Sequence, residues 1–261
     1  MWTSLRTAMT GLMAQQRALD ISADNLTKMQ VPGSKGQRAS FLELAPELRY
    51  LGVPDGEGNV LTDAREVGIG VRATSAVRNM TQGSFLPTGD PMDVAIDGDG
   101  FLEVSLPGGQ VGYTHGGSLR IDGSRQLVTS NGLAISPAIT VPDGMSSVEV
   151  TPGGNVVGIT TDGTRQEIGQ LRLVRFANPE GLQQVGQNVL VQTVASGAPI
   201  DGAAGQPGVG TIVSGIVEAS NIDPREEYLR VVQAQRAYEL NVRALKTVDE
   251  MLQDANNLRR G

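Results

Sequence analysis

The chain contains no cysteine. That excludes disulfides, thiolate metal sites and cysteine nucleophiles, and it leaves the redox compartment open. Aromatics make up only 3% of the residues and charged side chains 19%, below the usual quarter. No stretch approaches the roughly 20 apolar residues of a membrane span, so no membrane insertion is expected. After Arg6 there is no uninterrupted apolar run, and the N-terminus does not read as a cleaved secretory signal. Clusters of Lys and Arg are also missing. With a net charge of −7 the chain lacks the basic patch that phosphate recognition needs, so no nucleic-acid partner is expected. The basic pair Arg259-Arg260 reads as a solvated helix end that favours positive charge.

What is present is glycine, 34 residues in a chain of 261. This length holds one large or two modest domains, and the glycine content suits a turn-rich β region with thin cores. Two heptad patterns stand at the ends. From Asp223 to about Asn257 the sequence reads as one long helix. Asp223 is placed to cap it, Pro224 suits the first helical position, and Glu226 stands where a capping-box acid belongs. Its apolar seam runs Val231, Ala234, Tyr238, Leu245, Val248, Leu252, with Asn241 in the middle. Residues 3 to about 28 form a second helix of roughly 39 Å at 1.5 Å per residue. It ends before Pro32-Gly33. Its seam runs Leu5, Met9, Leu12, Gln16, Leu19, Ala23, Leu26. Steps of three and four are the period of helices that wrap around one another. Both seams are soft, with Met, Ala, Gln and Asn among the leucines. Flanking Ala237, Ala244 and Met251 widen the stripe of the last helix. Together these features point to burial among several helices rather than in a two-stranded coil.

The middle reads as strands. Phe101–Leu106, Val111–Thr114, Ser118–Ile121, Leu127–Thr129, Ser147–Val150, Asn155–Thr160 and Leu171–Phe176 are short apolar runs, with Thr211–Glu218 as a returning strand. Asp122-Gly123, Asn131-Gly132 and Asp162-Gly163 are hairpin signals between them. Turns about every ten residues imply an antiparallel sandwich or barrel. Residues 34–72 read as irregular, with Phe41-Leu42-Glu43-Leu44 as a short turn of helix or strand, a loop at Gly52–Gly58, and Gly68-Ile69-Gly70-Val71 opening the β-rich region. The expected class is therefore α+β: long N- and C-terminal coiled-coil-like helices flanking an inserted antiparallel β domain. The expected division is a helical domain of 1–30 plus 223–261, an extended connector of 31–75 plus 200–222, and a β-rich outer domain of 76–199.

Three patterns invite a chemical reading. Gly68-Ile69-Gly70-Val71-Arg72-Ala73 has the spacing of a dinucleotide fingerprint, but no apolar strand precedes it and no amphipathic helix follows, so a phosphate would have no helix N-terminus to sit on. Asp97-Gly98-Asp99-Gly100 resembles part of a calcium loop, yet Gly108 falls at the twelfth position where a bidentate Glu is needed. His115 is the single histidine, and Ser118 and Asp122 lie near it, but no nucleophile-elbow spacing is present; a surface His on a β-turn is expected. No catalytic, cofactor-binding or metal-binding residue is assigned. An acid-glycine turn and a β-turn account for the first two patterns.

The run Ala23-Asp24-Asn25-Leu26-Thr27-Lys28 with Gly33-Ser34-Lys35 resembles the N-terminal motif of the bacterial flagellar rod and hook proteins. Asp93-Val94-Ala95-Ile96-Asp97-Gly98-Asp99-Gly100-Phe101 is similar to their internal signature. Tyr113-Thr114, Asp122-Gly123 and Leu127–Thr129 continue the likeness. Glu218-Ala219-Ser220-Asn221-Ile222-Asp223 and Gln233–Glu239 resemble their C-terminal motif. The matches span nearly the whole chain in order. Asp24, Ser34 and His115-Gly116 depart from the family pattern, the last pair standing where Arg-Asp is frequent. The resemblance implies a non-enzymatic subunit that polymerises into a hollow helical rod across the periplasm, exported uncleaved through the flagellar type III apparatus. Its implied partners are further copies of itself, other rod proteins, the hook protein, and the surrounding P-ring and L-ring. The segment 44–66 falls where distal rod subunits carry an insertion, so the distal rod is the expected place, with the proximal rod as the alternative. A secreted β-domain binding module is the other reading of the residues. The expected assembly interface is Leu5, Met9, Leu12, Leu19 and Leu26 with Val231, Tyr238, Leu245, Val248 and Leu252.

Overall fold

The computed structural model describes residues 2–54, 60–74 and 76–260. The chain divides into a helical unit (Met1–Thr27, Gln37–Val77 and Asp223–Gly261) and a β unit (Lys28–Gly36 and Arg78–Ile222). The class is α+β, as the patterns imply: a helix at each end and antiparallel pairings in between.

Helix α1 spans Trp2–Lys28 and helix α2 spans Pro224–Arg260. The start of α2 is built by Asp223, whose Oδ1 accepts from the Arg225 N–H at 2.8 Å while its carbonyl accepts the first helical bond from Glu227 at 3.0 Å. Pro224 follows at the position where a missing N–H costs nothing. Glu226 does not close a capping box. It pairs one turn ahead with Arg230, an i,i+4 contact that competes for the same carboxylate.

The two helices run antiparallel. Asn25 of α1 bonds Glu227 of α2 at 3.1 Å, and a Cβ at Gly11 would lie 3.2 Å from the Asn241 amide. From 11 to 25 and from 227 to 241 the chain advances by the same two heptads, about 21 Å of helix, so the pairing holds one register throughout. The stripe of α1 nearest α2 is Gly11, Ala14, Ala18, Ile21, Ser22 and Asn25, of which Ala14, Ile21, Ser22 and Asn25 are buried. Gly11 leaves the room that the Asn241 amide fills. The leucine stripe of α1 lies one residue, about 100°, around the helix from this contact. In α2 two positions of the expected seam are placed inward, Ala234 being buried and Asn241 lying against Gly11, while Tyr238 of the same seam is exposed.

Residues 37–77 of the helical unit carry strands where the sequence looks irregular. Glu47–Pro54 pairs with Val60–Val67 over its full length, from Glu47↔Val67 to Pro54↔Val60. Phe41–Glu43 pairs with Val71–Ala73. The alternation Glu47-Leu48-Arg49-Tyr50 has a strand's period of two, and its interleaved charges hide it from an apolar count. Of the loop expected at Gly52–Gly58, residues 52–54 close a strand and 55–58 lie outside the described residues. Gly70 explains the glycine pattern of 68–73. Its φ is +108°, and a Cβ there would sit 2.0 Å from the Thr10 hydroxyl of α1. That hydroxyl accepts from the Val71 N–H at 3.3 Å. Gly70 serves a helix contact, not a phosphate.

The β unit holds a continuous core of Val94, Ile96, Leu102, Val104, Leu127, Ile135, Leu171, Leu173 and Ile212, all fully shielded from solvent. Strands Asp93–Asp97 and Phe101–Ser105 lie at its centre. The first pairs with Gly117–Ile121 and Thr211–Ser214, the second with Val111–Thr114, Ala134–Ile135 and Leu173–Arg175. A three-stranded meander, Met145–Val150, Asn155–Thr160 and Arg165–Gln170, adds a second layer. Beside the core sits an aromatic cluster in which Phe176 meets Tyr113 edge-on at 4.8 Å and Phe101 at 6.0 Å. The Asp122-Gly123 hairpin uses a longer loop than a two-residue turn. Asp122 Oδ1 accepts from the N–H groups of Ser124 and Gln126, and the left-handed residue is Arg125, at φ 61°.

Candidate functional site

Two polar knots and one apolar surface stand out, and the polar residues of the terminal motifs build both knots. In the β unit the knot centres on Glu218, at the end of strand Ile216–Glu218, with its side chain 1% exposed. One carboxylate oxygen accepts from the Lys35 ammonium at 2.7 Å and from the Gly83 N–H at 2.6 Å. The other meets His115 Nδ1 at 2.6 Å. A buried carboxylate is tolerated only when its lone pairs are filled in this way. Burial pushes the Glu218 carboxyl up, but the bond and charge of His115, with Lys35 and the Gly83 N–H, outweigh it and hold the carboxyl at about 2. The Glu218 carbonyl also accepts from the Gly33 N–H at 2.8 Å. Asn221 extends the knot: its Oδ1 accepts from Gly36, and its Nδ2 donates to the carbonyls of Asn79 and Thr81. Gly83 is required there, because a Cβ would lie 2.1 Å from the Ala219 carbonyl.

His115 is therefore not the surface residue that its turn-like neighbours Gly116-Gly117 suggest. Its side chain is 11% exposed and its ring stands edge-on to Phe101 at 5.5 Å. Its partner is a glutamate 103 residues away, a pairing no local spacing reveals. Ser118 and Asp122 take no part: Asp122 caps its own turn, and the cavity beside His115 is lined by no hydroxyl or thiol. Among the described residues no three His, Asp or Glu side chains gather as a metal site.

In the helical unit the knot centres on Asn25. Its Nδ2 donates to the Gln37 carbonyl at 2.7 Å and its Oδ1 accepts from the Gln37 N–H at 2.9 Å, so the amide acts as a strand partner for one residue. The same Nδ2 reaches Glu227, which is also held by Arg230. Next to this knot a groove of about 330 Å³ lies between the two helices and the strand at Phe41, floored by Ala18, Ile21, Ala234 and Ala237 and edged by Gln15 and Gln233.

The residues expected at an assembly interface fall into two classes. Leu5, Leu12, Leu19 and Leu26 on α1, and Val231, Leu245, Val248 and Leu252 on α2, are half-buried. Met9 is 55% exposed and Tyr238 is exposed as well. Apolar side chains outside that set are more open still, Leu240 at 64% and Leu258 at 84%, with Met13, Leu229 and Met251 near them in exposure. Of these, periodicity picks out only Met251, as a flank of the seam; the others lie off it. Periodicity also assigned no role to Lys35, Glu218, Asn221 and Asn25, whose only signal was their place in motifs with no apolar period.

The chain matches three family descriptions. Residues 5–33 match "Flagella basal body rod protein", residues 95–158 match "Flagellar hook protein FlgE/F/G D1 domain", and residues 213–258 match "Flagellar basal body rod FlgEFG protein C-terminal". It is similar over its length to curated flagellar basal-body rod proteins FlgG. Identity is 38% with that of Buchnera aphidicola subsp. Acyrthosiphon pisum, over 98% of this chain and 99% of the relative. It is 36% with that of Caulobacter vibrioides, over 98% and 99%. It is 39% with that of Borreliella burgdorferi, over the whole of both.

Proposed function

We propose how this chain, which belongs to the flagellar basal-body rod protein family, builds its share of the rod. It is a structural subunit of that rod. The observation that carries the reading is the division of labour on the terminal helices. They pair with each other at Gly11, which makes room for Asn241, and at Asn25, which bonds Glu227, while Met9, Met13, Leu229, Tyr238, Leu240, Met251 and Leu258 remain exposed. Apolar surface of this kind marks a protein interaction site. A head-to-tail contact that does not close on itself extends into a helical filament. In this reading Leu5, Met9, Leu12, Leu19 and Leu26 with Val231, Tyr238, Leu245, Val248 and Leu252 meet neighbouring copies, and the exposed Leu240 and Leu258 join them.

The helical unit supplies the polymer contacts, and the β unit presents surface to the P-ring and L-ring. The distal segment next to the hook is the place supported by the hairpin Glu47–Pro54 with Val60–Val67, which occupies the segment of the expected distal insertion. Other rod proteins and the hook protein adjoin it in the periplasm-spanning shaft, which it reaches through the type III export apparatus. The role is mechanical, the transmission of torque, and no catalytic residue is assigned.

Electron microscopy of concentrated protein tests this. The wild-type chain is expected to form tubes and Leu240→Asp discrete particles with the near-ultraviolet dichroism of the β unit unchanged. Tubes from Leu240→Asp would contradict the surface assignment. Immunogold labelling of purified basal bodies is expected at the hook-proximal end of the rod; labelling at the opposite end places the chain in the proximal rod instead.

A further inference from the structure

We propose that a cleft of the β unit lined by Lys35, Arg78 and His115 binds a single carboxylate, contributed in the rod by an Asp or Glu side chain of a second copy. The source of the carboxylate rests on the rod reading; the chemistry of the cleft does not.

The cleft lies beside the Glu218 knot. Its volume is about 20 Å³, and Gln184, Asn188 and Phe101 complete the wall around the three basic side chains. Room of that size takes one or two water-sized oxygens. It suits the two oxygens of a carboxylate. Every polar side chain on the wall carries an N–H donor, and no acidic residue is among them.

The charge is unbalanced. Glu218 compensates Lys35, which it holds at 2.7 Å. Arg78 has no such partner. Its guanidinium donates to the Leu182 carbonyl at 3.4 Å and to Gln184 Oε1 at 3.0 Å, both neutral, and among the described residues it meets no carboxylate. Burial pushes its pKa down, with no opposing charge to restore it. A half-buried cation solvated by two neutral oxygens is a costly arrangement that an incoming anion relieves. A guanidinium still has N–H groups free after two bonds, and its planar fork matches a carboxylate in two-point contact. The chain offers such groups in excess, with 28 acidic against 21 basic residues. A second copy therefore carries the complementary charge.

The site is tested on the full chain by nuclear magnetic resonance, with acetate as probe and sodium chloride at matched ionic strength as control. Saturable shifts of the Arg78 Nε–H and the His115 ring are expected with millimolar acetate and not with chloride. Arg78→Lys, which keeps the charge and loses the fork, should weaken acetate binding about tenfold, and Arg78→Gln should abolish it while the melting temperature holds. No saturable shift overturns the site, and equal binding of chloride overturns its carboxylate selectivity. Light scattering tests the source: acetate should slow tube formation by wild type and leave Arg78→Gln, itself slow, unaffected. Acetate binding without any effect on assembly overturns the second-copy source. A chain that forms no tubes contradicts the rod reading, while the acetate arm still decides the cleft.

Discussion

The β unit is finished on its own; the helical unit is not. In the β unit Val94, Ile96, Leu102, Val104 and Ile212 are fully shielded and even the charged Glu218 has every need met. In the helical unit the buried apolar side chains of the two long helices are only Ala14, Ile21 and Ala234 among the described residues, while methionines and leucines stand in solvent. Helices in water draw most of their stability from packing an apolar face. On the proposed reading, one chain carries a domain whose energy minimum is the monomer beside one whose minimum is the polymer.

The sharpest break of that contrast is a charge on the helical seam. Leu245→Asp or Leu252→Asp should abolish tube formation while the stability of the β unit changes by no more than about 0.5 kcal/mol, as for a surface change. Assembly by either variant in sedimentation would remove the seam from the interface.

Next in size is the knot of the β unit. Glu218→Ala leaves the buried Lys35 without its counter-charge, and breaking a buried pair costs about 3–5 kcal/mol. Calorimetry should show the β transition fall while the helical dichroism of the chain is unchanged.

The same knot gives the β unit an acid sensitivity. Glu218 sits at about 2 in the fold against 4.5 ordinarily, so the folded state binds its proton less readily than the unfolded one. The stability it contributes is complete above pH 4.5 and is lost as the pH falls towards 2. Thermal melts across that window should show the β transition dropping in wild type and a flatter dependence in Glu218→Gln.

The smallest effects belong to Gly70, whose backbone packs against the Thr10 hydroxyl. Gly70→Ala places a Cβ 2.0 Å from the Thr10 hydroxyl at a φ of +108°, a strain of about 1–3 kcal/mol. Gly68→Ala meets nothing within 4 Å and should leave the urea midpoint in place. Equal shifts for the two would remove the helix contact as the reason for the glycine.

Legibility in the sequence followed the same division. The helices were readable to within a few residues because their heptads and the Asp223-Pro224 start act locally. Strands Val111–Thr114, Leu127–Thr129 and Asn155–Thr160 were readable because apolar runs lie between turn residues. What joins distant parts was not. The bond from His115 to Glu218, and the fit of Asn241 on Gly11, depend on residues more than a hundred positions apart. The α1 contact was displaced by one residue because leucines dominate an apolar count, while the close approach is made by glycine, alanine and asparagine.

Hydrogen exchange on monomer and polymer tests the central claim most directly. The account predicts that in the monomer the amides of Trp2–Lys28 and Pro224–Arg260 exchange far faster than those of Asp93–Asp97 and Phe101–Ser105, and that polymerisation protects the helices while leaving the strands as they were. Helices already as protected in the monomer as the central strands, or unprotected in the polymer, would contradict it.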